Sequence, residues 1–130
     1  MALDAGAGFY IMTSARDILF DVFLPALTEK RFASGLFVLC RYSLRPFAVG
    51  LLASGIRGRM FAFDAGSCMD YATWLLADRG IKRERTTLRD TNESKIRNLL
   101  EAAPSDPNRK LRFAARGNLL CPEPGALPAG

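Results

Sequence analysis

The sequence predicts an α/β protein: N-terminal helices packed on a small, mainly parallel sheet built from strand-helix-strand-helix-strand. Three observations carry this expectation. Apolar residues recur at helical spacing through residues 14–56, and short apolar or alternating pieces at 59–63, 81–88 and 109–116 have strand character. Helical patterns over 67–78 and 92–103 separate those pieces, and short connections of that kind favour right-handed crossovers between parallel neighbours. The 130 residues suffice for one core. The expected organisation is a loose extension over 1–13, one α/β domain over 14–121 and a flexible tail over 122–130. The domain divides into a helical part, 14–56, and a βαβαβ part, 59–120.

The first helix starts at Thr13 or Ser14, either of which supplies an N-cap oxygen, with Asp17 in the first turn beside the positive helix end. Ile18, Leu19, Val22, Phe23 and Leu27 follow at helical spacing. Pro25 predicts a kink or the first turn of a second helix. Residues 32–44 are apolar on most sides and extend the helical part, Arg45-Pro46 marks a break, and residues 47–53 form a short third helix closed by Gly55 and Gly58.

Beyond that point the pattern changes. Residues 59–63 suit a short buried strand. Ser67 is the expected cap of a helix that runs to about Asp78, with Gly80 after it and Met69, Ala72, Leu75 and Leu76 on its apolar face. Residues 81–88 alternate and carry β-branched side chains, which predicts a surface or edge strand. Thr91 or Asn92 caps a helix that buries Ile96, Leu99, Leu100 and Ala103. Residues 109–116 alternate cleanly, with Lys110, Arg112 and Arg116 on the polar side.

Composition narrows the function. The chain has no histidine, which excludes Ser-His-Asp and Cys-His catalysis in their usual form and imidazole-ligated metal sites. The three cysteines, Cys40, Cys68 and Cys121, are too few and too scattered for a disulfide framework or a structural zinc site. That usage suits a reducing, cytoplasmic compartment, and no basic segment followed by a long apolar run marks a secretory signal. The formal net charge is +5, and arginine outnumbers lysine fourteen to four. Guanidinium forks suit phosphate and carboxylate, so an acidic partner is expected.

Two predicted strands concentrate that charge. Lys82, Arg83 and Arg85 lie on one; Lys110, Arg112 and Arg116 lie on the other. As neighbours in one sheet they would line a phosphate-tracking surface. The leading expectation is therefore a binding protein without catalytic activity or cofactor, contacting nucleic acid, a ribonucleoprotein or an acidic protein surface through an Arg-rich sheet edge. The plain alternative is that cations on an edge strand discourage aggregation.

Three other features point elsewhere. Cys68, expected at a helix N-terminus, would have a lowered pKa. Its strand-loop-Cys-helix setting resembles the opening of thioredoxin-like domains in topology, but Tyr71 stands where those domains carry a second cysteine, and Asp70 opposes a thiolate. Asp64 and Asp90, each after a predicted strand, form a candidate Mg²⁺-type pair for a hydrolase; the competing reading is a turn residue and a helix-start residue. Finally, the apolar helices of residues 15–53 are a candidate docking surface for a larger protein or for self-association. A membrane span within residues 32–53 is disfavoured, because Arg41 and Arg45 sit near its middle at about 2.5–3.5 kcal/mol each and Pro46 interrupts it.

Overall fold

The computed structural model describes residues 2–3, 6–103 and 112–123. The chain is mixed α/β and divides into two compact units, residues 13–92 and residues 1–12 with 93–130.

The larger unit begins with a helical stretch in three consecutive parts. These are α1 (Ala15–Ile18), a π-helical turn (Leu19–Phe23) and α2 (Leu24–Glu29). Ser14 caps α1 by accepting from the Asp17 N–H at 3.1 Å, as its residue type predicts. Pro25 explains the π turn. It has no N–H to give the carbonyl four residues back, so the turn ahead of it widens and the Leu24 N–H bonds to the Leu19 carbonyl. The stretch ends at Lys30, which takes a left-handed φ of 51°.

Next come β2 (Ser34–Leu39), a 3-10 turn (Arg41–Ser43), α3 (Leu44–Ser54) and β3 (Arg57–Ala62). Earlier in the chain, Phe9–Tyr10 is β1, within the segment read as an extension. The expectation of helix over 32–44 is overturned, because β2 pairs in parallel with β3, from Ser34 opposite Arg57 to Leu39 opposite Ala62. A short apolar run has no periodicity that separates a buried strand from a buried helix. Here β3 supplies ladder partners, and that decides the conformation. Pro46 does not break the helix either. It lies in the first turn of α3, where an N–H is unpartnered in any case. Gly55 closes α3 at φ 73°, as expected.

The core of this unit is assembled from these elements. Ile18, Val22 and Ala26, four residues apart on the first helical stretch, are buried with Leu39, Phe47, Leu51 and Ile56. The Phe47 ring lies 5.1 Å from that of Phe23 and 5.0 Å from that of Phe37, both tilted. Close approach is built in, since a Cβ on Gly50 would come within 2.7 Å of the Phe23 ring. On the opposite side of the first helical stretch, Phe20, Leu24 and Leu27 are exposed, as are Val49 and Leu52 on α3.

α4 (Tyr71–Asp78) follows, and then α5 (Asp90–Glu101), within which the division between the units falls. On α5, Ile96, Leu99 and Leu100 are half-buried while most of the charged positions are exposed, in agreement with the predicted face. The smaller unit carries an antiparallel sheet in the order β1-β5-β4, with β4 (Phe113–Arg116) and β5 (Leu119–Pro122) joined as a hairpin. Gly117 at φ 57° occupies the first of the two turn positions, the conformation a type II′ hairpin turn needs.

In place of the expected single, mainly parallel sheet, the described residues form two sheets, one parallel pair and one antiparallel triplet. The strand-helix-strand-helix-strand order fails at residues 81–88. These form no strand and make only an isolated bridge between Thr87 and Ala65. With charge on both sides, the segment has no apolar face to bury in a sheet. Among the described residues no helix is long and apolar enough to cross a membrane.

Phe47 is 7% exposed and joins both aromatic contacts. Replacing it with alanine is expected to lower stability by about 3–5 kcal/mol, measured by urea denaturation.

Candidate functional site

The chemistry-bearing residues of the larger unit gather where the parallel strands end. Cys40, Arg41 and Tyr42 follow β2 directly, and residues 63–70 follow β3. The carboxyl ends of parallel strands leave backbone groups unpaired and loops free to diverge, which is why α/β sites form there.

These loops are tied together by named bonds. The Arg41 N–H donates to Ser67 Oγ at 2.6 Å, and the Tyr42 N–H donates to the Cys68 carbonyl at 3.1 Å. The segment that carries most of the charge is fastened on top. Asp64 N–H donates to the Thr87 carbonyl at 2.9 Å, and Thr87 N–H returns a bond to the Ala65 carbonyl at 3.2 Å. Gly66, at φ 64°, passes so close to Arg85 that a Cβ would overlap its carbonyl oxygen and stand 2.7 Å from its carbonyl carbon. No other residue type fits there without displacing the 85–87 backbone.

Ser67 is not the helix cap. Asp70 is, accepting from the Thr73 N–H at 2.8 Å while Thr73 Oγ1 accepts from the Asp70 N–H at 3.4 Å, a reciprocal capping box. The Thr73 N–H and hydroxyl, with the Ala72 N–H, hold the Asp70 carboxyl below its usual range against the opposing effect of desolvation. Cys68 therefore precedes the cap by two residues and lies outside the first turn of α4. The macrodipole falls off within one turn, so Cys68 is not activated by the helix, contrary to expectation. Burial, followed by its contact with Cys40, pushes the Cys68 thiol above the usual range, and the residue is 6% exposed.

The cysteine that the sequence did not single out is the better placed. Cys40 is half-buried, and Lys82 Nζ lies 3.6 Å from its sulfur. Burial alone would raise its pKa. The Cys68 N–H, the Lys82 charge, and the Cys68 thiol and Ser67 hydroxyl outweigh that and hold it below the ordinary thiol value.

Asp64 has a structural role. Its Oδ2 accepts from the Arg89 N–H at 2.8 Å and from Asn92 Nδ2 at 3.1 Å, at the start of α5. The Arg89 N–H first, then the Asn92 amide and the charges of Arg89 and Arg41, hold its carboxyl below the usual range against desolvation. Asp90 opens α5. Among the described residues no three ligand-type side chains converge on a point, so the Asp64–Asp90 pair gains no third ligand.

The predicted cationic residues separate as follows. Lys82, Arg83 and Arg85 are exposed on the loop between α4 and α5 and do not lie on a sheet edge. Arg112 and Arg116 are exposed beside and at the end of β4 in the smaller unit. Lys110 lies outside the described residues. Within the 79–89 loop, five cations face one carboxylate, Glu84. Among the described residues, the ion pairs are Arg31–Glu29 and Arg97–Glu93, and neither involves this loop.

The structure also places aromatic rings that the sequence did not connect. Tyr71 and Trp74 stack with centroids 5.8 Å apart, and Tyr42 lies 6.2 Å from Trp74 and 6.5 Å from Tyr71. Tyr71 is 58% exposed. The spacing of Tyr71 and Trp74, one helical turn, was the available sign; Tyr42 joins them only through the fold. An open pocket lined by Arg41, Tyr42, Leu44, Arg45 and Pro46 adjoins the cluster.

No family model matches the chain, and no curated protein or solved structure matches it.

Two outcomes follow from this geometry. Gly66→Ala is expected to destabilise the protein by more than about 1 kcal/mol, and by more than Gly55→Ala, whose Cβ would have nothing within 4 Å at a similar φ. Comparing the two in urea isolates the cost of the close approach from that of the backbone angle. The second outcome concerns acid. A carboxyl whose folded pKa is depressed stabilises fully above its unfolded value of about 3.9 and loses that contribution as pH falls through the folded value. Stability curves of the wild type and Asp64→Asn should therefore differ above pH ~4 and converge below it.

Proposed function

We propose that this protein binds single-stranded nucleic acid without catalysing a reaction, through the 79–89 loop and the neighbouring aromatic cluster of its larger unit. The reading rests chiefly on one observation: Arg79, Lys82, Arg83 and Arg85 lie on a single exposed loop without a carboxylate ion-pair partner among the described residues. Guanidinium groups left unpaired keep their forks available for phosphate oxygens.

The rings supply the second half of the recognition. Stacked, part-exposed Tyr71 and Trp74 with Tyr42 offer π-faces on which unpaired bases stack in a sequence-tolerant way, worth about 1–3 kcal/mol per base. Arg41 and Arg45, both exposed, add charge beside Tyr42. A cationic track next to a stacking platform suits a flexible single strand better than a duplex, whose bases are already stacked. On the smaller unit, Arg112 and Arg116 are exposed and are proposed as phosphate contacts of that unit by itself.

Trp74 is the only tryptophan, so its fluorescence reports on the cluster directly. Titration with a single-stranded oligonucleotide should quench it, with affinity that falls steeply as salt rises. Arg83→Glu with Arg85→Glu should weaken binding and flatten the salt dependence by about 0.7 in log–log slope for each phosphate no longer neutralised. Unchanged affinity and slope in that variant would contradict the reading. Preference for an acidic protein over the oligonucleotide would transfer the loop to the other acidic partner class.

A further inference from the structure

Two thiols lie beside the loop, and their arrangement has a chemistry of its own. Cys40 and Cys68 come from different loops, yet the backbone bonds of the next residues bring them side by side, and each thiol shifts the other's pKa. The Cys68 thiol itself lies 3.7 Å from the Thr73 carbonyl. Lys82 Nζ lies 3.6 Å from the Cys40 sulfur. The pairing is held in register by two hydrogen bonds between the same loops, Arg41 N–H to Ser67 Oγ and Tyr42 N–H to the Cys68 carbonyl. The two sulfurs differ in access: Cys40 is half-buried and Cys68 is buried.

We propose that Cys40 and Cys68 are a redox-active dithiol that exchanges with small-molecule disulfides, with Cys40 as the attacking sulfur and Cys68 as the resolving one. The division of labour follows from position. The attacking thiol must be reachable and its anion must be stabilised; Cys40 is the half-buried member of the pair, and the Lys82 ammonium lies 3.6 Å from its sulfur. The resolving thiol needs only to lie against the mixed disulfide. Cys68 follows Ser67 on the loop bonded to Arg41 and Tyr42, and it is buried, so it meets a disulfide only through Cys40.

The exchange balances in two steps. The Cys40 thiolate attacks one sulfur of a disulfide RSSR; a Cys40–S–S–R bond forms, the RS–SR bond breaks, and RS⁻ leaves and takes up a proton. Cys68 then gives up its proton to solvent and attacks the Cys40 sulfur. The Cys40–Cys68 bond forms and the second RS⁻ leaves and is protonated. The protein is oxidised by two electrons and RSSR is reduced to two RSH.

The test uses the full reduced chain with glutathione disulfide under native conditions. The reaction is quenched with acid, remaining thiols are blocked with N-ethylmaleimide, and non-reducing peptide mapping follows. The wild type should yield a Cys40–Cys68 linkage with Cys121 blocked by maleimide. Cys68→Ser should accumulate a glutathione adduct on Cys40. Cys40→Ser, or Cys40→Ala should the serine variant lose its native circular dichroism, should leave Cys68 unmodified. Lys82→Gln should slow adduct formation on Cys40 severalfold in the Cys68→Ser background, while thiol reactivity in urea stays the same. A wild type in which the adduct stops at Cys40 would overturn the proposal. So would adducts on Cys121 in preference to Cys40, or Cys68 reacting as fast without Cys40 as with it.

Discussion

The larger unit is organised around one close backbone approach, that of Gly66 to the Arg85 carbonyl. A Cβ at position 66 would overlap that oxygen, so the two loops meet only because this residue has no side chain. The Thr87–Ala65 bridge and the Asp64 carboxylate at the Arg89 N–H continue the same contact on either side. Without it, residues 83–88 would lose the backbone bonds that Thr87 makes to residues 64 and 65, and they have no apolar face to replace them. With it, Lys82 is delivered to Cys40, and the arginines of the loop are held at the carboxyl end of the parallel pair.

This arrangement reconciles two demands. A segment with five cations and one anion repels itself and gains little from burial. Tying its backbone down by hydrogen bonds leaves the side chains in water, where exposed charges cost least. The backbone is ordered and the guanidinium groups stay solvated. Lys82 is the exception, turned toward a sulfur, and it links the electrostatics of the loop to the thiol pair.

Features legible in the sequence were those set by local rules. Ser14 at a helix start, Gly55 at a helix end, the strand at 59–63 and the face of α5 each follow from residues within a turn or two of one another. Features set by partners distant in sequence were not. β2 is a strand because β3 pairs with it, and its apolar run alone does not distinguish strand from helix. Cys40 carries no local signal, because the groups around its sulfur come from Ser67, Cys68 and Lys82, the last 42 residues away. Two features that differ from expectation do carry local signals. Asp70 followed three residues later by Thr73 marks a capping box as clearly as Ser67 marks a cap. Gly117-Asn118 between two apolar pieces is a hairpin signal, and it identifies β5.

The most direct test of the loop's attachment is amide hydrogen exchange at Thr87 and Arg89. Both lie in a charged, exposed segment outside any helix or strand, and only the docking of that segment on residues 64–66 shields their N–H groups. Protection well above that of neighbouring loop amides, abolished in Gly66→Ala, is the predicted result. Exchange at both amides as fast as in an unfolded chain would show that the loop is not held, and the placement of its cations and of Lys82 would fall with it.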